Sequence, residues 1–581
     1  MKKTIIILLS LISAGNFSCN KFLEVSPQSA FDQDYVFDSV QGATSAVFGI
    51  YNQLCGDWAY GGRLNFFYTV DTDETLGSVN TASGGGDNGA KSLARYNATA
   101  GNTQLENPYN QLYTGIERAN ICIKSIPEMN LYKNGTDSDK KQLGRLYGEA
   151  LTLRAQFYFE LIRNWGDIPA RFEPSATQTD FLLERTDRDV IYDRILEDLK
   201  LAEAIVPWRK DPGIATDERI TKGAVKALRA KIALFRGGYS LRRESGIMER
   251  RSDYLKYYEI ARDECKDIIT SQQHDLNPSF SSVFKDYIDA HKIEPNGEVI
   301  FEVAMAGGTG YTDGRSGYTD GPRYGSTGGG NMLILPTYFY SFDSLDVRRD
   351  VTAAPYITDL NNNKIGQEII NITSGKFRRD WHTPAVPLTS TLLYYGINWP
   401  LIRYSDVLLM FAEAENELNP VPTPDAKDAL EKVRKRAFAG NVDKIGVTPT
   451  EKTDFFNAIV KERLHEFGGE GIRKFDLIRW NLLETKILET RANLRKIISR
   501  AAPYNTVPLF MYYKAASPTL IWANSFYKAS ATTAPAGYVQ VKWGPYIKEA
   551  YVVAVAELFK ANHSELLPLP QAAINSNIKL K

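Results

Sequence analysis

Cysteine and histidine are scarce in this chain of 581 residues, with four of the first and five of the second. There is no CxxC pair, no HExxH helix and no His/Cys cluster, which excludes the familiar zinc and redox sites. His274, His291, His382, His465 and His563 stand singly and read as surface or packing residues rather than bases. A GxSxG nucleophile elbow is missing too. Net charge is also absent: Lys+Arg and Asp+Glu both number 69, so no net field recruits nucleic acid or anionic lipid. After the first twenty residues no stretch approaches the ~20 apolar residues that a spanning helix needs.

Two partial motifs fail on inspection. Gly84–Gly89 followed by Lys91 and Ser92 imitates a phosphate loop, but Ala90 breaks the Gly-Lys step and no buried strand precedes it. Asp71, Asp73 and Glu74 resemble the start of a calcium loop without its glycine or distal glutamate, which leaves a structural calcium open and no other cofactor implied. Glu462 and Glu466 lie four apart on a charged helix and read as a solvated or ion-paired face. Cys55, Cys122 and Cys265 are far apart and read as small buried hydrophobes.

What is present begins with a leader. Lys2 and Lys3 precede the apolar run Thr4–Phe17, too short to span a bilayer and laid out like a secretory signal. It ends at Ser18-Cys19, a small residue before the first cysteine, where a bacterial lipoprotein is cut and acylated. Residues 1–18 are therefore expected to be removed and Cys19 lipidated, which makes that lipid the only expected contact with the membrane.

The rest, 19–581, reads as one mainly α unit. Val190, Ile191, Ile195, Leu199, Ala202 and Ile205 recur at helical spacing, with Thr186 and Asp189 placed like a capping pair. A partner helix starts near Thr221 and stops at Gly237-Gly238. Tyr109–Ile126 with Lys140–Asn164, Tyr404–Leu418 with Asp425–Phe438, and Thr453–Phe467 with Ile472–Leu483 form similar pairs. Helix, short connection, helix, with Ala or Gly at close contacts, is the pattern of tetratricopeptide-like hairpins. The expected scaffold covers roughly 40–290 and 400–485. Loop-rich segments of aromatic and polar residues, with a few short strands such as Glu298–Ala304, fill 56–110, 296–400 and 501–550.

These loops set flat rings beside hydrogen-bonding groups, the make-up of a ligand-binding surface. The expected contacts are Trp58, Tyr60, Arg63, Tyr68, Asp71 and Asp73 in the first loop. A Tyr-Thr-Asp-Gly repeat adds Tyr311, Asp313, Tyr318 and Asp320, then Arg323 and Tyr324, with Trp381 and Trp399 further along. Tyrosine beside glycine makes poor core, so exposure is expected there.

Several segments together resemble the RagB/SusD family of Bacteroidetes outer-membrane lipoproteins. Cys19-Asn20-Lys21-Phe22-Leu23-Glu24 with Pro27 is similar to the family's start. Glu149–Ala155 running to Trp165-Gly166-Asp167-Ile168-Pro169, Arg403–Met410 with Ala412-Glu413-Ala414, and Glu462-Arg463 through Glu470–Arg473 to Asp476–Trp480 resemble its internal signatures. Leu567-Pro568-Leu569-Pro570 resembles its closing segment, although the chain lacks the Asn-Pro-Gly ending of many members. The resemblance implies about four tetratricopeptide-like units under an irregular ligand-binding lobe. It also implies an outer-membrane location facing the exterior, a SusC-like TonB-dependent barrel as partner, an oligosaccharide or polysaccharide ligand, and no catalysis. Peptide capture within the family, or a secreted carbohydrate hydrolase, are the competing expectations. Arg154, Arg403, Trp165, Trp480, Gly166 and Gly471, all in the signatures, are expected to serve architecture.

Overall fold

A computed structural model of the chain describes residues 33–77, 89–214, 216–307, 313–330 and 332–581. The first half of the scaffold runs through α1 (Val40–Tyr51), α2 (Glu106–Ser125), α3 (Asp137–Trp165), α4 (Arg188–Ile205), α5 (Lys222–Arg236) and α6 (Tyr254–Thr270). From α2 onward each packs on the next in sequence, and α1 lies against both α2 and α3. The second half, α7 (Tyr404–Leu418), α8 (Pro424–Ala437) and α9 (Lys452–Phe467), continues the stack, because α6 also packs on α7. This is the helix-on-helix layering expected from the sequence pairs.

Local chemistry sets the boundaries. Thr136 opens α3 with a reciprocal capping box to Asp139, and Thr221 caps α5 through the Ala224 amide. Asp187, not the Thr186/Asp189 pair, caps α4: its carboxylate accepts from the Asp189 amide at 2.6 Å. The chain leaves α3 through Gly166 at φ +75°, a left-handed backbone that a side chain resists. Close packing of α2 on α3 depends on Gly115, where an added Cβ would lie 2.5 Å from the Phe157 ring. The helix expected over 472–483 is instead broken. Residues Arg473–Arg479 form α10, Asn481 turns at φ +55°, a conformation asparagine tolerates, and α11 runs Leu483–Ser499.

Two strands tie the halves together. Val299–Val303 pairs antiparallel with Trp399–Arg403, with Trp399 opposite Val303 and Arg403 opposite Val299. α7 starts at the next residue. Around this junction sits a buried ionic network. Arg403 reaches Glu298 (2.7 Å), Glu466 (2.9 Å) and Glu470 (2.7 Å), while Arg436 reaches Glu298 (3.0 Å) and also binds Glu466. Arg348 joins Glu462 (2.7 Å) to Glu466 (3.1 Å), and Lys376 binds Glu470. Glu462 and Glu466 are thus ion-paired as expected, but inside the protein. Arg403 ends a strand and immediately precedes α7.

The 501–550 segment is less loop-like than its composition implies. Phe510–Lys514 and Tyr538–Lys542 form an antiparallel hairpin. Trp543 is fully buried beside Phe339, Trp522 and Phe526, so these rings build a second core with α11. A small antiparallel sheet, in the order Thr75–Gly77, Met332–Ile334, Thr373–Ser374, Ala353–Ala354, anchors the central loops to that core.

Candidate functional site

The loops at 56–67, 313–330 and 377–396 converge. Gly56 donates to the Asp313 carbonyl (2.9 Å) and Arg315 to the Gly61 carbonyl (2.9 Å), so the Gly-rich loop lies along the first aromatic loop. A Cβ on Gly61 would fall 1.9 Å from the Asp313 oxygen, which is why glycine stands there. On the other side Ser326 donates to the Leu388 carbonyl (3.1 Å), and Arg379 binds the Thr327 carbonyl.

Two aromatic clusters result. In the first, the Arg63 guanidinium lies 4.1 Å from the centre of the Trp58 ring and is held by the Gln104 amide oxygen at 2.9 and 3.0 Å. Asp57 accepts from Arg315 (2.6 Å) and from the Tyr394 hydroxyl (3.1 Å). Trp58, Asp57, Gln104, Arg315 and Tyr394 are all half-buried, so rings and hydrogen-bonding groups reach solvent side by side. In the second cluster, Tyr318, Tyr324 and Tyr395 surround Arg379 at 5.5 to 5.9 Å. Arg378 stacks on the half-buried Trp381 at 4.5 Å. The clusters are contiguous: Tyr394 and Tyr395 are neighbours in the chain, and the Tyr318 amide donates to the Arg315 carbonyl (3.0 Å).

The expected site residues divide accordingly. Trp58, Tyr318, Tyr324 and Trp381 belong to these two clusters, and Arg323, beside Tyr324 in the chain, is exposed. Arg63 supports Trp58 from beneath, and Asp313 accepts from the Ala306 amide (2.8 Å) at the loop's root. Others were expected to contact ligand and are buried instead. Tyr60 donates to Glu160, and Tyr68 donates to the Gln104 carbonyl at 2.7 Å. Trp399 sits in the central strand between Phe66 and Phe377. Asp71 accepts the Gly77 (2.6 Å) and Ala556 (3.2 Å) amides, and Asp73 is clamped by Arg473 at 2.7 and 2.9 Å. Asp320 is completely buried on the Gly317 amide at 2.7 Å. Cys19 and Tyr311 lie outside the described residues.

Burial governs the protonation of Asp71, Asp320 and Glu74. It raises Asp71 to about 7, against the pull of the amides that bind it, and raises Asp320 to about 7 in the same way. Glu74 is pushed to about 8 by burial and by the nearby Asp73 carboxylate. With Asp71 and Asp73 committed elsewhere, these three do not form a calcium cage. Among the described residues no group of three or more His, Cys, Asp or Glu is arranged to hold a metal ion. Cys122 and Cys265 are buried as expected of packing residues, whereas Cys55 is half-buried and its thiol, pushed up to about 12 by burial, donates to the Ala304 carbonyl at 3.0 Å. The architectural residues are also in place. Trp165 is buried and donates to the Pro568 carbonyl (3.1 Å), Trp480 donates to Glu413 (2.9 Å), and Arg154 pairs with Asp198 (2.7 Å).

The model of the SusD family matches residues 297–581, and a model described as starch-binding associating with outer membrane matches residues 21–234. SusD-like protein P25 of Formosa agariphila is 26% identical over 557 residues, covering 90% of this chain and 98% of that protein. A SusD homolog from Bacteroides thetaiotaomicron VPI-5482 superposes with a TM-score of 0.76 at 22% identity, covering 94% of this chain and 97% of that one. Surface glycan-binding protein A from Bacteroides thetaiotaomicron, solved in complex with laminarihexaose, gives a TM-score of 0.58 at 20% identity over 77% of this chain and 91% of that one. At these identities the structural matches establish the fold alone. No helix among the described residues is long and apolar enough to cross a membrane.

Proposed function

We propose that this chain, which belongs to the SusD family, is a glycan-binding lipoprotein at the outer-membrane surface that hands its ligand unaltered to a SusC-like TonB-dependent barrel. The observation that carries the reading is the pair of linked aromatic clusters that holds Trp58, Arg315, Tyr394, Tyr318, Tyr324 and Trp381, all half-buried. Half-exposed rings alternate there with guanidinium, carboxylate and hydroxyl groups, the combination that a sugar's apolar face and its hydroxyls require. The laminarihexaose complex of a protein with the same fold supports a carbohydrate as the ligand class.

The same geometry supports binding without chemistry. Asp320 has the proton affinity of a general acid, but it is shut away from any substrate. Asp73, a candidate partner carboxylate, is spent on Arg473. Mature protein incubated with a polysaccharide panel should bind at least one member in calorimetry and release no new reducing ends. Reducing ends that co-purify with the protein would make it a hydrolase instead. Anchoring has its own test. Cys19→Ala should abolish palmitate labelling and release the protein from the membrane fraction; unchanged labelling and partitioning would remove the lipoprotein assignment.

A further inference from the structure

A second site lies away from the aromatic face and shares no residue with it. Where α3 ends, a cavity of about 510 Å3 opens beside Trp165 and Tyr96, under the segment 562–569. Five cations line it, Arg185, Arg188, Arg242, Arg243 and Lys474, against one lining carboxylate, Asp167. Asp167 is shared by Arg188 (2.8 Å) and Arg243 (3.4 Å). Arg242 pairs with Asp189 (2.8 Å), and Arg185 donates to the uncharged Leu580 carbonyl (2.8 Å).

Lys474 is the exception. It is only 7% exposed, and among the described residues it forms no hydrogen bond or ion pair. Its ammonium lies 4.5 Å from the centre of the Tyr96 ring. Burial outweighs the attraction of Asp71 and lowers its pKa to about 8, which still leaves it mostly charged at neutral pH. A buried ammonium without a hydrogen-bonded partner is costly, and this one faces a cavity whose other charges are mostly positive. The remaining wall is apolar, with Leu241, Leu566, Leu569 and Ile574 among its residues. The volume is that of a small-molecule pocket rather than a seat for a bare ion.

We propose that this cavity binds a small amphiphilic carboxylate, its anionic group on Lys474, Arg188 and Arg243 and its apolar body against Trp165 and the leucines. The test is calorimetric titration of the mature protein, at low ionic strength, with benzoate, hexanoate, acetate and inorganic sulfate. Benzoate or hexanoate should bind, and bind tighter than acetate or sulfate. Lys474→Met should weaken that binding at least tenfold while leaving the melting temperature of the free protein unchanged or higher, because at similar volume it removes a buried charge that no hydrogen bond satisfies. Arg243→Ala, at a side chain half open to solvent, should weaken binding several-fold without unfolding, and it decides the matter should the lysine variant fail to fold. Absence of carboxylate binding, equal binding of sulfate, or undiminished affinity in the variants would overturn the proposal. None of these results would touch the aromatic face.

Discussion

Arg403→Ala is expected to destabilise the protein by about 3–5 kcal/mol, the usual cost of stripping one partner from a buried ion pair. The change leaves Glu298, Glu466 and Glu470 without the guanidinium that joins them, and each of these side chains is at most 2% exposed. Water cannot replace the cation. The network also links a strand of the first half to α8, α9 and the 376 loop, so its loss loosens the junction on which the loops rest. Burial pushes the Glu466 carboxyl up, but Arg436, Arg403 and Arg348 together outweigh it and hold it well below the usual range. An acid with a depressed pKa contributes stability that is present above its unfolded value and is lost as pH falls through its folded value. Asp71, Glu74 and Asp320 act in the opposite sense, since their raised pKa values favour the fold at acid pH and that contribution fades as pH rises to about 7 or 8. Without Arg403 the Glu466 carboxyl loses part of that pull and protonates at a higher pH, so the penalty of Arg403→Ala should be larger at pH 7 than near pH 4. Urea unfolding at the two pH values reads this directly, and equal penalties would show that charge is not what the arginine contributes.

Trp58→Ala should cost about 1–3 kcal/mol of glycan affinity, the range of hot-spot truncations at other interfaces. That is about a 5- to 150-fold rise in Kd, enough to silence a weak surface receptor. The ring is placed for stacking by Arg63, which Gln104 fixes in turn, and its neighbours Asp57, Arg315 and Tyr394 supply hydroxyl partners. Because Trp58 is half-exposed, the fold should lose little beyond one cation–π contact of about 0.5–1 kcal/mol. Binding and melting temperature thus separate here, whereas Arg403→Ala moves both together through the fold.

The scaffold was legible wherever helical spacing and caps agree. α7 spans the expected Tyr404–Leu418, and Thr221 and Gly237 bound α5. α6 shows buried Tyr258, Ala261, Cys265 and Ile268 at three- and four-residue steps, a usable signal that charged residues interrupt. The break at Asn481 has no apolar signature, because one left-handed residue suffices to divide a helix.

The site was legible by composition and illegible by partner. Nothing local to Tyr60 announces Glu160, a hundred residues on, and nothing near Asp73 announces Arg473, four hundred away. Their burial is a tertiary outcome. The same distance hid Asp57, Gln104 and Tyr394, since Asp57 and Tyr394 meet across 337 residues. Arg315, inside the Tyr-Thr-Asp-Gly repeat, was within reach of the composition argument that singled out its tyrosine neighbours.

The most direct measurement is a calorimetric titration of the mature wild type, Trp58→Ala and Tyr318→Ala with the glycan that the panel identifies, with melting curves and reducing-end analysis on the same samples. Glycan capture by the aromatic face predicts wild-type binding, at least fivefold weaker binding in Trp58→Ala, a loss of the same sign in Tyr318→Ala, nearly unchanged melting, and an intact glycan. Unchanged affinity in both variants, or a glycan cleaved in the cell, would contradict it.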